Sequence, residues 1–167
     1  MLFSRTTGYA VRALAYLTAA GEGAHVPVNR IAEETDVPPP FLGKIVQKLV
    51  KAGILVTRKG PKGGVELAKP AEQVDLFELV VAIEGESLWT NCVLGLNACV
   101  DEQPCPLHND WVRIREEIRR MLQGKTLADI AARVREGSLR IRNLTEPASS
   151  NSQDELAREA PTGRRKK

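Results

Sequence analysis

The sequence predicts a mainly α-helical fold with one small β-hairpin, arranged as a winged helix-turn-helix followed by a long dimerisation helix. Three observations predict it. Residues 1–51 show two helical patterns, a proline-rich turn and a cationic helix; residues 54–67 hold two short β-branched runs around a basic, glycine-rich tip; and residues 106–123 form a long amphipathic stretch. With 167 residues, 43% of them apolar, the chain can bury a real core. No stretch approaches the roughly 18–20 uninterrupted apolar residues of a membrane span, so no place within a bilayer is expected.

Taken in order, Ala10, Val11, Ala13, Leu14 and Leu17 have helical spacing and predict a first helix from about Ser4 to Ala20. Gly21-Glu22-Gly23 and Pro27 end it, and a short helix from about Val28 to Glu34 buries Ile31 and Ala32. Asp36-Val37-Pro38-Pro39-Pro40 is a turn. The third helix starts inside its proline triplet, because an N–H in a helix's first turn has no intrahelical acceptor and its loss costs little. That helix runs to about Lys51 and stops at Ala52-Gly53. Its apolar set, Leu42, Ile45, Val46, Leu49 and Val50, repeats at three and four and leaves Lys44, Gln47, Lys48 and Lys51 outward. Strands at Ile54–Thr57 and Val65–Leu67 flank Arg58-Lys59-Gly60-Pro61-Lys62-Gly63-Gly64, the tip of a hairpin.

After Pro70, Asp75 caps a helix that ends at Gly85. Leu107, Trp111, Ile114, Ile118, Met121 and Leu122 predict one long helix from about Pro106 to Gln123. So small a core cannot cover its whole stripe, so a second copy of the chain is the predicted cover and the protein a homodimer. Thr126 and Asp129 have capping-box form and open a last helix to about Arg135. The stretch 147–167 is rich in Ser, Pro and charge and is predicted to be disordered.

Charge is segregated along the chain. Residues 1–64 carry nine Lys or Arg against four acids, whereas residues 65–144 carry ten against thirteen. A cationic winged helix-turn-helix predicts double-stranded DNA as the partner, and a dimer of such units predicts a palindromic operator. The third helix enters the major groove while the wing tip reaches a neighbouring groove or the backbone. Lys48, Lys51, Arg58 and Lys62 are the expected phosphate contacts, with Lys59 adding charge at the tip. Pro40, Lys44 and Gln47 are expected at base edges. A winged helix that binds protein would instead retain DNA only in a salt-sensitive, sequence-blind way. The expected division is a DNA-binding domain over 1–70, a ligand loop with dimerisation helices over 71–144, and a tail over 145–167.

Cys92, Cys99 and Cys105 fall within fourteen residues, and His108 follows in the run Cys105-Pro106-Leu107-His108. Intervals of six, five and two residues are too irregular for one side of a helix, so the predicted ligands converge from a loop that a metal organises. Thiolates and an imidazole select soft or borderline metals, which leaves an iron–sulfur cluster or zinc, with a bare thiol redox switch beside them. Asp110 and Glu102 are the nearest substitutes should His108 serve only as a polar residue of the long helix. Trp89 and Trp111 flank the loop and are expected to pack there and keep water out. Met1 to Ala24 loosely imitates a secretory leader, but Arg12 breaks its apolar run, so a cytoplasmic protein is expected. In a reducing cytosol clustered cysteines read as metal or redox sites rather than disulfides. An enzyme is not expected: the chain lacks a glycine-rich nucleotide loop and a Ser/His/Asp constellation, and its only other histidine is His25. An electron carrier using a cluster directly is the remaining class.

The chain resembles the IscR/NsrR-type transcription regulators, cytosolic bacterial winged-helix dimers that sense iron–sulfur or nitric-oxide status. The resemblance covers about residues 1–136 and rests on Tyr9-Ala10-Val11-Arg12-Ala13-Leu14, on the wing Arg58-Lys59-Gly60-Pro61-Lys62-Gly63-Gly64, and on the three cysteines before the long helix. It implies that Cys92, Cys99 and Cys105 ligate a cluster, with His108 where IscR-like members place their fourth ligand. Nitric-oxide sensors take an acidic side chain at the position of Gly8, which has none to offer. The resemblance therefore favours a Cys3His site and a 2Fe-2S cluster, with 4Fe-4S as the other nuclearity. At Gly43, where IscR-like recognition helices carry an acid, this chain departs, so no operator sequence carries over. Lys59 replaces a frequent wing arginine and cannot make that residue's bidentate contact to guanine.

Overall fold

The computed structural model describes residues 2–60, 63–96 and 99–139. The expected disordered tail lies outside the described residues. The first helix, α1 (Arg5–Ala19), buries Ala10, Ala13, Leu14 and Leu17, as the alanine-rich spacing predicts. It also buries Arg12, which is 2% exposed. That guanidinium donates to the Thr35 carbonyl at 3.1 Å and lies 4.9 Å from the Tyr9 ring centroid, so its charge is solvated by the end of the next helix and an aromatic face.

Helix α2 (Val28–Thr35) ends where Asp36 adopts the left-handed conformation (φ 54°), with its N–H donating to the Ala32 carbonyl. Such a backbone is tolerated by a short polar side chain, and it turns the chain into Val37-Pro38. Helix α3 (Pro39–Lys51) then begins with prolines in its first turn and buries Leu42, Ile45, Val46 and Leu49. Strands β1 (Leu55–Arg58) and β2 (Gly64–Leu67) pair antiparallel, with Leu55 opposite Leu67 and Arg58 opposite Gly64. Val65 also exchanges backbone hydrogen bonds with Val26 at 3.0 and 2.9 Å, which fastens the wing to the segment before α2. A β-carbon on the adjacent Gly64 would sit 2.4 Å from the Val26 carbonyl oxygen, so this close approach requires glycine.

Helix α4 (Leu76–Glu84) carries the predicted cap, the Asp75 carboxylate accepting from the Glu78 N–H at 2.8 Å. Two elements escape the periodicity reading because each is a single turn: a 3-10 turn at Ala71–Gln73 and α5 (Ser87–Thr90). The long helix is α6 (His108–Gln123), and α7 (Leu127–Arg135) opens with the reciprocal Thr126–Asp129 box. Backbone bonds from Leu127 N–H to Val74 O (3.0 Å) and from Leu76 N–H to Lys125 O (2.9 Å) join the starts of α7 and α4. One apolar cluster accordingly runs from Leu14, Ile31, Leu42 and Ile45 through Leu79 and Ile83 to Leu122 and Leu127, with α7 packed along α1. Among the described residues no helix is long and apolar enough to cross a membrane.

Candidate metal centre and nucleic-acid interface

The cysteine loop hangs between α5 and α6. Cys92 is buried just after α5, and His108, 6% exposed, is the first residue of α6. The His108 N–H donates to the Cys105 carbonyl at 2.9 Å, so the loop's last cysteine is fastened to the first turn of that helix. All three cysteines are free thiols. Cys92 Sγ lies 3.7 Å from Cys105 Sγ, and Cys99 Sγ lies 3.4 Å from His108 Nδ1. The four predicted ligands thus stand as two pairs. Among the described residues no three His, Cys, Asp or Glu side chains close into a ready-made metal site.

The local chemistry suits a thiolate-binding metal. Backbone hydrogen bonds from Leu94, together with contributions from Cys105 and Leu96, hold the Cys92 thiol below its ordinary pKa despite the burial that would raise it. A thiol stabilised as thiolate by backbone N–H groups is the form that ligates metal. His108 Nε2 lies 2.8 Å from the Asp101 carboxylate. With Nε2–H donating to that acceptor, the lone pair is left on Nδ1, the nitrogen that faces Cys99. Sequence reading missed Asp101, because its part depends on a loop conformation that no spacing rule encodes.

The two tryptophans pack differently. The Trp111 indole N–H donates to the Asn91 carbonyl at 3.1 Å, next to Cys92. Trp89 is buried against Phe77 of α4 (centroids 4.8 Å apart), and the Arg119 guanidinium covers both rings at 5.2 and 5.8 Å.

The predicted DNA-facing residues divide into two groups. Pro40, Lys44, Gln47 and Lys51 are exposed on α3, and Lys59 is exposed at the wing. Lys48 and Arg58 have partners within the chain. Lys48 Nζ donates to the Ile83 carbonyl at the end of α4 (2.5 Å). Arg58 lies 3.1 Å from His25 Nε2. Arginine can only donate, so Nε2 accepts and the ring proton sits on Nδ1, which is 3.0 Å from both the Gly23 carbonyl and the Glu66 carboxylate. His25, unassigned in the sequence, therefore braces the wing. Lys62 lies outside the described residues.

A helix-turn-helix with an exposed cationic third helix, a braced hairpin wing and a cysteine loop leading into a half-uncovered long helix define a winged-helix transcriptional regulator. The chain belongs to the Rrf2 family: that family's model, described as an iron-dependent transcriptional regulator, matches residues 3–133. It is 28% identical over 131 residues to the HTH-type transcriptional regulator NsrR of Oceanobacillus iheyensis, covering 78% of this chain and 89% of that one. Among solved structures it is similar to the oxidized form of Staphylococcus aureus CymR (26% identity, TM-score 0.61, 78% of this chain and 96% of that one). Its fold also matches T. potens IscR, with a TM-score of 0.64 at 21% identity over 82% of this chain and 90% of that one.

Proposed function

We propose that this regulator binds a palindromic operator as a homodimer and that an iron–sulfur cluster on Cys92, Cys99, Cys105 and His108 sets its affinity for DNA. The observation that carries the reading is the paired geometry of the donors: Cys92 with Cys105 at 3.7 Å, Cys99 with His108 Nδ1 at 3.4 Å, all borne by one loop that ends as α6 begins. The iron-dependent description of the family supports it. The thiolate-rich set fits 2Fe-2S better than a hard oxygen-bound cation, with 4Fe-4S as the other nuclearity. When bound, such a cluster supplies redox chemistry and sensitivity to oxidants and nitric oxide.

The chain's own residues do the rest. Drawing the two donor pairs together fixes the loop against the first turn of α6. That helix exposes Ile114 and Met121, two turns apart on one face, the stripe a second copy would cover. Loop and dimer interface are therefore continuous, and the spacing of the two α3 helices follows from them. The shift is an equilibrium, moved only by the differential affinity of the two states, and a factor of about 5 to 150 is typical. Free thiols and operator binding fit a reducing cytosol.

A second reading is a thiol switch, favoured by the 3.7 Å between Cys92 and Cys105 and by the likeness to CymR in its oxidized form. A structural zinc on the same Cys3His set is the third. Visible absorption of anaerobically purified protein, with iron, sulfide and zinc assayed on the same sample, separates them. Visible bands with iron and sulfide at near-equal content are expected. A colourless protein with one zinc per chain after reconstitution would make the site structural, and a colourless, metal-free protein that forms an intrachain disulfide when an added two-electron oxidant such as peroxide takes up the electrons would make it a thiol switch.

A further inference from the structure

The last two residues of α4 hold α3 and the start of α1, two of the helices that pack beside it. The Ile83 carbonyl accepts from Lys48 Nζ of α3, and the Glu84 carboxylate accepts from the Ser4 N–H at 2.8 Å and from the Thr7 hydroxyl of α1. Eight residues further on stands Cys92. Between them the chain turns at Gly85 (φ 81°) and passes through α5. Trp89 of α5 packs on Phe77 of α4, and Asn91 accepts from Trp111 of α6. Cys92 is thus joined to α4 in two ways, through the packing of Trp89 on Phe77 near the start of that helix and through the short chain back to Gly85 at its end, where Lys48 of α3 is bonded to Ile83.

We propose that Lys48 is a positioning residue that couples the cysteine loop to α3 by holding the recognition helix to the C-terminal end of α4, rather than a contact to DNA phosphate. The chemistry fits: an ammonium is favoured at the carbonyl end of a helix, where acceptors lack intrahelical partners and the dipole is negative. Lys48 and Lys51 are both exposed, but among the described residues Lys51, one turn along, makes no such bond. The inference rests on the DNA-binding reading but not on what the loop binds. It requires two arrangements of the α3–α4 contact whose populations both sites bias, which is what distinguishes coupling from mere adjacency.

Two measurements on the full chain test it, with Lys48→Met removing the charge and Lys48→Arg keeping a donor. In the first, affinity for a duplex of the protein's own upstream region is titrated against salt. Lys51→Met is expected to lower the log-log slope by about one unit per subunit, and Lys48→Met to leave it unchanged. A drop of that size for Lys48→Met would make Lys48 a phosphate contact and overturn the proposal. In the second, iodoacetamide alkylation of the metal-free loop is timed with and without saturating duplex. Because DNA and the loop would bias one α3–α4 equilibrium, DNA shifts the population of loop conformers, and the alkylation rate should change by about 5-fold or more in the parent chain and in Lys48→Arg, and not in Lys48→Met. No effect of DNA in the parent, or an equal effect in Lys48→Met, would overturn it. Neither readout needs a cluster, so a colourless protein would defeat the cluster reading and leave this one standing or falling by itself.

Discussion

At the scale of single residues, partners decide roles that residue type leaves open. Asp101 illustrates this, since its carboxylate oxygen sits 2.8 Å from His108 Nε2 and selects the tautomer whose Nδ1 lone pair faces Cys99. Partners of this kind on a ligating histidine are worth about 10- to 100-fold in metal affinity. If His108 ligates metal as proposed, Asp101→Ala is expected to lose it to a competing chelator about that much more readily, with the far-ultraviolet circular dichroism unchanged. Glu84 gives a pH dependence. Burial pushes its carboxyl up, but hydrogen bonds from Thr7 and Ser4 and the charge of Lys48 outweigh it and hold the pKa below the ordinary value. A carboxyl lowered in the folded state adds stability that is present above its unfolded pKa and is lost as pH falls through its folded one. Glu84→Gln should thus lower the thermal midpoint at neutral pH and lower it less in acid, and equal losses at both would refute the assignment.

At the scale of elements, the helices are legible where termination and capping chemistry are written locally. The Thr126–Asp129 box, Asp75 at the start of α4 and the prolines opening α3 all occur where their residue types demand. Thr126→Ala should cost about 1 kcal/mol, typical for loss of an N-cap, measured by denaturant melts at constant slope. The one-turn elements Ala71–Gln73 and α5 were not legible, because a single turn carries no periodicity. Nor was the wing's brace. Nothing in the run around His25 signals that it will meet Arg58 and Glu66, which lie 33 and 41 positions further on.

At the scale of the whole molecule, the apolar core does not stop at residue 70. Leu127 is 0% exposed and belongs to the same cluster as Leu14 and Leu42, so the last helix helps to hold the first. Leu127→Ala should cost about 2–5 kcal/mol in one cooperative transition, and two separate transitions would instead show residues 1–70 melting alone. One flank of α6 remains uncovered, with Ile114 45% and Met121 59% exposed. If the chain pairs as proposed, Ile114→Glu is expected to give a monomer in sedimentation velocity and to weaken operator binding, because half-sites are read together only by a paired protein. A monomeric parent chain would refute the dimer outright.

The order of helices and hairpin, the segregated basic charge and the three cysteines before the long helix were determined by the sequence itself. Each follows from local propensity, periodicity or composition, and none needs contacts distant along the chain. Tertiary structure alone decided which cations are free. In sequence Lys48 and Arg58 carry the same expectation of facing DNA as Lys44, Lys51 and Lys59, yet they are engaged with Ile83 and His25. It also decided that the cysteine loop pairs Cys92 with Cys105 and Cys99 with His108, and that Asp101 joins them. The physical reason is the same throughout: a hydrogen bond between residues far apart in sequence depends on how the packed elements orient their ends, and packing is a property of the whole chain.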